Sequence, residues 1–186
     1  MLSNFYITNY CDKRCTPFQS ITRLPSDEAY KLAEDLSQNA SSTFTSFSRF
    51  TANDFDGYYT KRKRTEKWLL GEIIELGIKP KNKTPLYFVL GESSYLNKWY
   101  ERVTRTKLLL KDINPEDISF TYGDSMSRMD SKERMDPFSI ETLTAFINER
   151  TDDINSYLDE LDKQNRYIEA QLWNDDYLSD LLYGHK

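Results

Sequence analysis

Arg62 and Glu66 stand four residues apart in a segment whose apolar residues share one helical face. Phe55, Tyr58, Tyr59, Leu69, Leu70, Ile73 and Leu76 define that face, and the Arg and the Glu fall on it too. A guanidinium and a carboxylate on an apolar face could hold an anionic substrate and exchange a proton with it. The weightier alternative is structural: a partly buried ion pair between a helix and a sheet edge, with the Arg62 stem running past the core. Other chemistry is scarce. The single histidine, His185, is next to last, so a histidine-based triad would have to recruit the tail, and a histidine-rich metal site is excluded. Cys11 and Cys15 supply two soft ligands where a structural zinc takes about four. They read as two reduced thiols, and no metal or cofactor is expected.

The strand-like run Ile118-Ser-Phe-Thr-Tyr122 leads into Gly123-Asp124-Ser125. A strand ending in Gly-Asp-Ser resembles the nucleophile block of the GDSL lipases and esterases, which implies Ser125 as nucleophile. In that family the block lies near the N-terminus and a late Asp-x-x-His supplies the base. Here Ser125 lies two-thirds of the way along, and Leu182 stands three residues before His185. A serine hydroxyl with no base to take its proton is a poor nucleophile. The plainer reading has Gly123 turning the chain while Asp124 and Ser125 hydrogen-bond local backbone.

Charge is spread unevenly. Residues 61–83 carry eight lysines and arginines against three glutamates, whereas residues 136–186 carry twelve acidic side chains against four basic ones. Lys61, Lys63, Arg64 and Lys67, with Lys79, Lys81 and Lys83, could meet phosphates while Tyr58, Tyr59 or Trp68 stack on bases. The acidic total, a net charge of −5, favours a protein partner over nucleic acid. The basic face could equally dock on the acidic C-terminal stretch of its own chain. No glycine-rich phosphate loop is present, since Gly71, Gly77 and Gly91 stand alone. No apolar run approaches the roughly 20 residues of a spanning helix, and the first residues lack the pattern of a secretory signal. These features point to a cytoplasmic protein with no membrane partner; oligomeric state is not encoded legibly.

The elements that must position these groups follow from periodicity. Residues 5–10, 86–90, 104–110 and 118–122 read as strands, the second as one covered on both faces. Helices are expected after Ser26, from Asn53 or Asp54 to about Leu76, and over 93–101. The Ser/Thr-rich stretch 37–48, with Phe44, Phe47 and Phe50 near its end, reads as a loop, and Met126–Arg134 as a polar connection. Asp136-Pro137 predicts a helix start and Thr151 a cap for the next. There Ile154, Leu158, Leu161, Asn165, Ile168 and Leu172 are spaced four, three, four, three, four, a coiled-coil-like seam.

The expected fold is α+β: a small mixed sheet packed by helices, with a helical C-terminal third. Residues 1–135 form the α+β core, and 136–186 an acidic helical segment packed on it, one domain overall. The leading functional expectation is a non-catalytic, bacterial or viral interaction protein that binds a macromolecule through Lys61, Lys63, Arg64, Lys67, Tyr58 and Tyr59. The alternative is an enzyme for an anionic or nucleotide-like ligand. It would use Arg62 with Glu66 or Asp124, a pocket lined by tyrosines such as Tyr6, Tyr59 or Tyr122, and Ser125 as an outside candidate. Convergence of those groups on one cleft would favour the enzyme.

Overall fold

The structure, a computed structural model, describes residues 2–40 and 47–179. Five strands, β1 (Tyr6–Asp12), β2 (Leu86–Leu90), β3 (Val103–Leu109), β4 (Ile118–Tyr122) and β5 (Ile168–Leu172), form one sheet in the order β3-β1-β2-β5-β4. Every pairing is antiparallel, so the sheet is not mixed as expected. The helices are α1 (Ser26–Ser37), α2 (Phe55–Glu75), the single turn α3 (Ser94–Asn97), α4 (Ile140–Asn148) and α5 (Ile154–Lys163). Among the described residues no helix is long and apolar enough to cross a membrane.

The main departure from the sequence reading is at the C-terminal end. Helix α5 stops at Lys163, Asn165 adopts a left-handed φ of 55°, and the chain then enters β5 between β2 and β4. The supposed seam is therefore half helix and half strand, and the C-terminal third is not helical throughout. Ile168-Glu169-Ala170-Gln171-Leu172 alternates apolar and polar residues, the period of a strand. Its residues Ile168 and Leu172, four apart, also satisfy a helical spacing, so the same pair fits both patterns. Smaller boundaries shift as well. The capping box for α4 is made by Ser139 and Thr142, while Phe138 bridges to Phe120 and so delays the helix past Pro137. Asp153, not Thr151, caps α5 by accepting from Asn155 N. Phe44 lies outside the described residues, whereas Phe47 and Phe50 are buried around a short turn at 48–50.

The pleat sorts the sheet into two unlike faces. Leu86, Phe88 and Leu90 of β2, Ile118 and Phe120 of β4, and Ile168, Ala170 and Leu172 of β5 join one buried cluster with Leu143 and Ile147 of α4 and Leu161 of α5. Burying each of the Leu, Ile and Phe side chains contributes about 1.5–3 kcal/mol. The opposite face carries Tyr87, Ser119, Thr121, Glu169 and Gln171, with register Tyr87↔Gln171↔Ser119 and Val89↔Glu169↔Thr121. Helix α2 lies over this side, where Leu69 and Ile73 pack with Trp173. Its N-terminal half meets α1 through Phe55 and Tyr59 in a separate cluster with Ala29, Ala33, Phe47 and Phe50.

Buried polar side chains on a sheet face are costly unless they are paired. Here they form a row. Trp173 Nε1 donates to Ser119 Oγ at 2.9 Å, Ser119 Oγ donates to Gln171 Oε1 at 2.8 Å, and Gln171 Nε2 donates to Thr121 Oγ1 and Glu169 Oε1, each at 3.0 Å. The row leads from the core to a carboxyl group at the rim of a cavity.

Candidate functional site

The cavity, about 550 Å³, is enclosed by β1, β2, the start of α2, the 47–50 turn and the 96–100 segment, with Asp124, Tyr167 and Glu169 at one side. That volume is in the range of small-molecule sites, roughly 300–1,000 Å³. Three arginines reach it, in different circumstances. Arg14 is chelated by Asp12, with Nε to Oδ1 at 2.7 Å and Nη2 to Oδ2 at 2.8 Å. This fork holds the Asp12 carboxyl below the usual range despite its burial. Arg62 lies 3.6 Å over the Tyr87 ring, and its Nε donates to Glu66 Oε1 at 3.1 Å. Burial opposes the Arg62 charge, but Tyr87, Tyr58, Glu66 and Glu169 around it keep the guanidinium protonated.

Arg49 differs from both. Its guanidinium packs against Phe50 (5.2 Å), Tyr58 (5.3 Å) and Trp99 (5.9 Å), an aromatic cage that suits a weakly hydrated cation. Its buried Nε has no hydrogen-bond partner, and no carboxylate pairs with it among the described residues. Burial pushes the neighbouring Tyr100 phenol up, and the adjacent Arg49 charge pulls the other way. Aromatic walls beside a guanidinium with no carboxylate partner among the described residues can receive an anionic group attached to a ring.

Glu169 holds the other side. It is 6% exposed, and its Oε1 accepts from Ser125 Oγ at 2.5 Å, Gln171 Nε2 at 3.0 Å and Ser125 N at 3.4 Å. Burial and the adjacent Asp124 charge push its pKa up to about 7, against the pull of Arg62 and of its donors. Asp124 follows Gly123, whose φ of 83° makes the turn out of β4. A Cβ there would meet Arg128 Nε at 3.0 Å. Asp124 accepts from Ser127 N at 2.7 Å and from Tyr167 Oη at 3.2 Å. Burial and Asp124 raise the Tyr167 phenol, so it stays a neutral donor.

Of the residues singled out from sequence, Arg62, Tyr58 and Asp124 line the cavity. Glu66 stands just behind Arg62, 2% exposed, with Oε1 also accepting from Thr22 Oγ1 and Oε2 buried without a partner. Ser125 is buried with its hydroxyl committed to Glu169; His185 lies outside the described residues. Tyr59 is core, Tyr6 packs under Lys107, and Tyr122 packs on Phe146, so none of these three lines the cavity. Lys61 and Arg64 both pair with Asp130, Lys79 with Glu116 and Lys81 with Asp176, so much of the basic surface meets acidic groups of its own chain. Lys63 sits over the Tyr59 ring at 4.3 Å, and Lys67 is exposed. Both thiols are free, and burial raises the Cys11 thiol to about 11, far from a thiolate at neutral pH. Among the described residues no cluster of three or more His, Cys, Asp or Glu is placed to hold a metal ion.

Sequence reasoning missed Arg49, Tyr87, Tyr100, Tyr167 and Glu169. For Glu169 a signal existed: a charged residue on the polar phase of an alternating strand. For Arg49 there was none, because its short turn has no periodicity. No protein-family model matches the chain, and no curated protein or solved structure matches it significantly.

Proposed function

We propose that this protein binds a small anionic ring compound, of nucleotide size, in the cavity between α2 and the sheet. The observation that carries the proposal is Arg49: a caged guanidinium facing a half-apolar hollow of about 550 Å³, with no carboxylate neutralising it among the described residues. Arg62 adds a second positive charge on the same wall, and the aromatic side chains offer stacking surfaces. This reading is favoured over recognition through the charged exterior because Lys61, Arg64, Lys79 and Lys81 already have acidic partners within the chain. It keeps the protein in a reducing compartment such as the cytoplasm, supported by two unpaired cysteines beside the cavity.

The test uses the fluorescent dye anilinonaphthalenesulfonate, which joins a sulfonate to two aromatic groups. Wild type should bind it. Arg49→Met, which keeps the packing and removes the charge, should weaken binding about tenfold or more, in line with a charged hydrogen bond worth about 1.5–3 kcal/mol. Lys63→Met on the exterior should leave it unchanged. Equal losses in both variants, or none in Arg49→Met, would refute the cavity as the binding site.

A further inference from the structure

Among the described residues, Glu169 is the carboxyl group that is both buried and part of the cavity lining with an oxygen to spare. Three donors converge on Oε1, while Oε2 makes no hydrogen bond among the described residues. An oxygen saturated with donors cannot carry the acid proton. The proton of the neutral form therefore resides on Oε2, the oxygen left free of donors, and the ionised form offers the same oxygen as a base.

The scaffold around it is arranged to hold this geometry. Ser125, which the Gly123 turn carries beneath the carboxyl group, fixes Oε1 from one side. Gln171 fixes it from the other, and cannot flip its amide because Oε1 of Gln171 accepts from Ser119 while its Nε2 donates to Thr121. The charged and titratable groups facing Glu169 come from every neighbouring element: Arg62 from α2, Tyr87 from β2, Asp124 from the turn after β4, and Tyr167 from the approach to β5. Arg62 offers stabilisation to negative charge developing on a ligand, while Asp124 and burial keep Glu169 from being a permanently ionised carboxylate. The midpoint near 7 makes both proton-loaded and proton-free forms available at neutral pH, the condition for efficient general acid–base work.

We propose that Glu169 is the proton-transfer residue of an acid–base catalytic site, acting on a ring compound bound in this cavity, with Ser125 and Gln171 as its positioning residues. The inference rests on the cavity being a ligand site. The substrate class is an anionic ring compound whose reaction removes or returns one proton at a ring atom next to Glu169 Oε2, with the resulting negative charge facing Arg62.

A generic proton-transfer probe tests this without knowledge of the natural substrate. Nitrobenzisoxazole is opened by a base that takes its ring C–H proton: the C–H electron pair becomes the new C–N π bond, the N–O bond breaks, and oxygen keeps the N–O bonding pair as a coloured phenolate. The 186-residue chain should accelerate this opening about 100-fold over acetate at equal concentration and pH, at the low end of general-base contributions. The rate should rise with pH through about 7 as Glu169 ionises. Glu169→Gln should fall to the acetate level, and Asp124→Asn should move the midpoint to lower pH. A wild-type rate no higher than acetate, or a Glu169→Gln variant as fast as wild type, would overturn the proposal. Dye binding measured on the same samples separates the two ideas. If the dye still binds through Arg49, the cavity stands and only the acid–base role is lost; if it does not, both fall. Circular dichroism on each variant reports whether it has folded.

Discussion

Replacing Glu169 by Gln should make the protein more stable at alkaline pH and leave it nearly unchanged at acid pH. Glu169 ionises near its ordinary 4.5 in the unfolded chain, whereas in the folded protein burial and Asp124 hold it up to about 7. Well below pH 4.5 both states carry the proton and the carboxyl group costs nothing. As pH rises the unfolded chain releases its proton first, so the folded state binds more protons and stability declines until the folded group has also ionised. With 1.36 kcal/mol for each pKa unit, the complete cost is about 3 kcal/mol. Roughly 2–3 kcal/mol of it falls between pH 5 and pH 8.5, because the unfolded carboxyl is already partly ionised at pH 5. Glutamine has the shape of the protonated acid: its oxygen can keep the Ser125 and Gln171 bonds, and its NH₂ takes the place of the Oε2 proton. Urea unfolding followed by tryptophan fluorescence reads the difference directly. At pH 8.5 the variant's midpoint should lie about 1.5 M above wild type, taking a slope of about 2 kcal/mol per molar urea. At pH 5 the two midpoints should differ by a few tenths molar. Groups whose pKa is lowered by folding, such as Asp12 and Asp153, lose their stabilising effect as pH falls, and they are common to both proteins and cancel in the comparison. Parallel pH profiles for wild type and variant would refute the reasoning, because they would mean that Glu169 is ionised alike in both states.

Two further outcomes follow from the same geometry. Asp124→Asn removes a neighbouring negative charge while leaving Glu169 in place, so the midpoint of the alkaline stability loss should move to lower pH; an unmoved midpoint would show that burial alone raises the carboxyl. Asn165→Leu separates the coiled-coil reading from the observed fold. A buried seam position would gain stability from leucine, but at a φ of 55° the variant should lose about 1–2 kcal/mol in a thermal or urea melt.

Local order explains what was legible. The antiparallel strands β2 and β4 and the long helix α2 were readable within a residue or two, because each is bounded by punctuating residues and carries a clean period. The burial of Glu66 and the turning of Arg62 away from solvent also followed from spacing alone. Asp124 was named for its position after a strand-ending glycine, although its partners were not. The route from α5 into β5 is ambiguous in the sequence because Ile168 and Leu172 satisfy both a helical and a strand spacing. The tie is broken by the open strand edges of β2 and β4, which only the assembled sheet supplies.

From the sequence alone came a chain with an uneven distribution of charge, one Arg–Glu pair on an apolar helix face, and chemistry without a histidine-rich metal site or a glycine-rich phosphate loop. The tertiary structure decided which of its polar residues matter. It brought Arg49 from an aperiodic turn, Arg62 from α2, and Glu169 from β5 to one hollow, residues separated by 120 positions along the chain. It also paired much of the basic surface with acidic groups distant in sequence. The physical reason is that periodicity records which face of an element is buried, whereas a site depends on which elements lie side by side. That adjacency is settled by long-range packing and strand pairing, and no local pattern carries it.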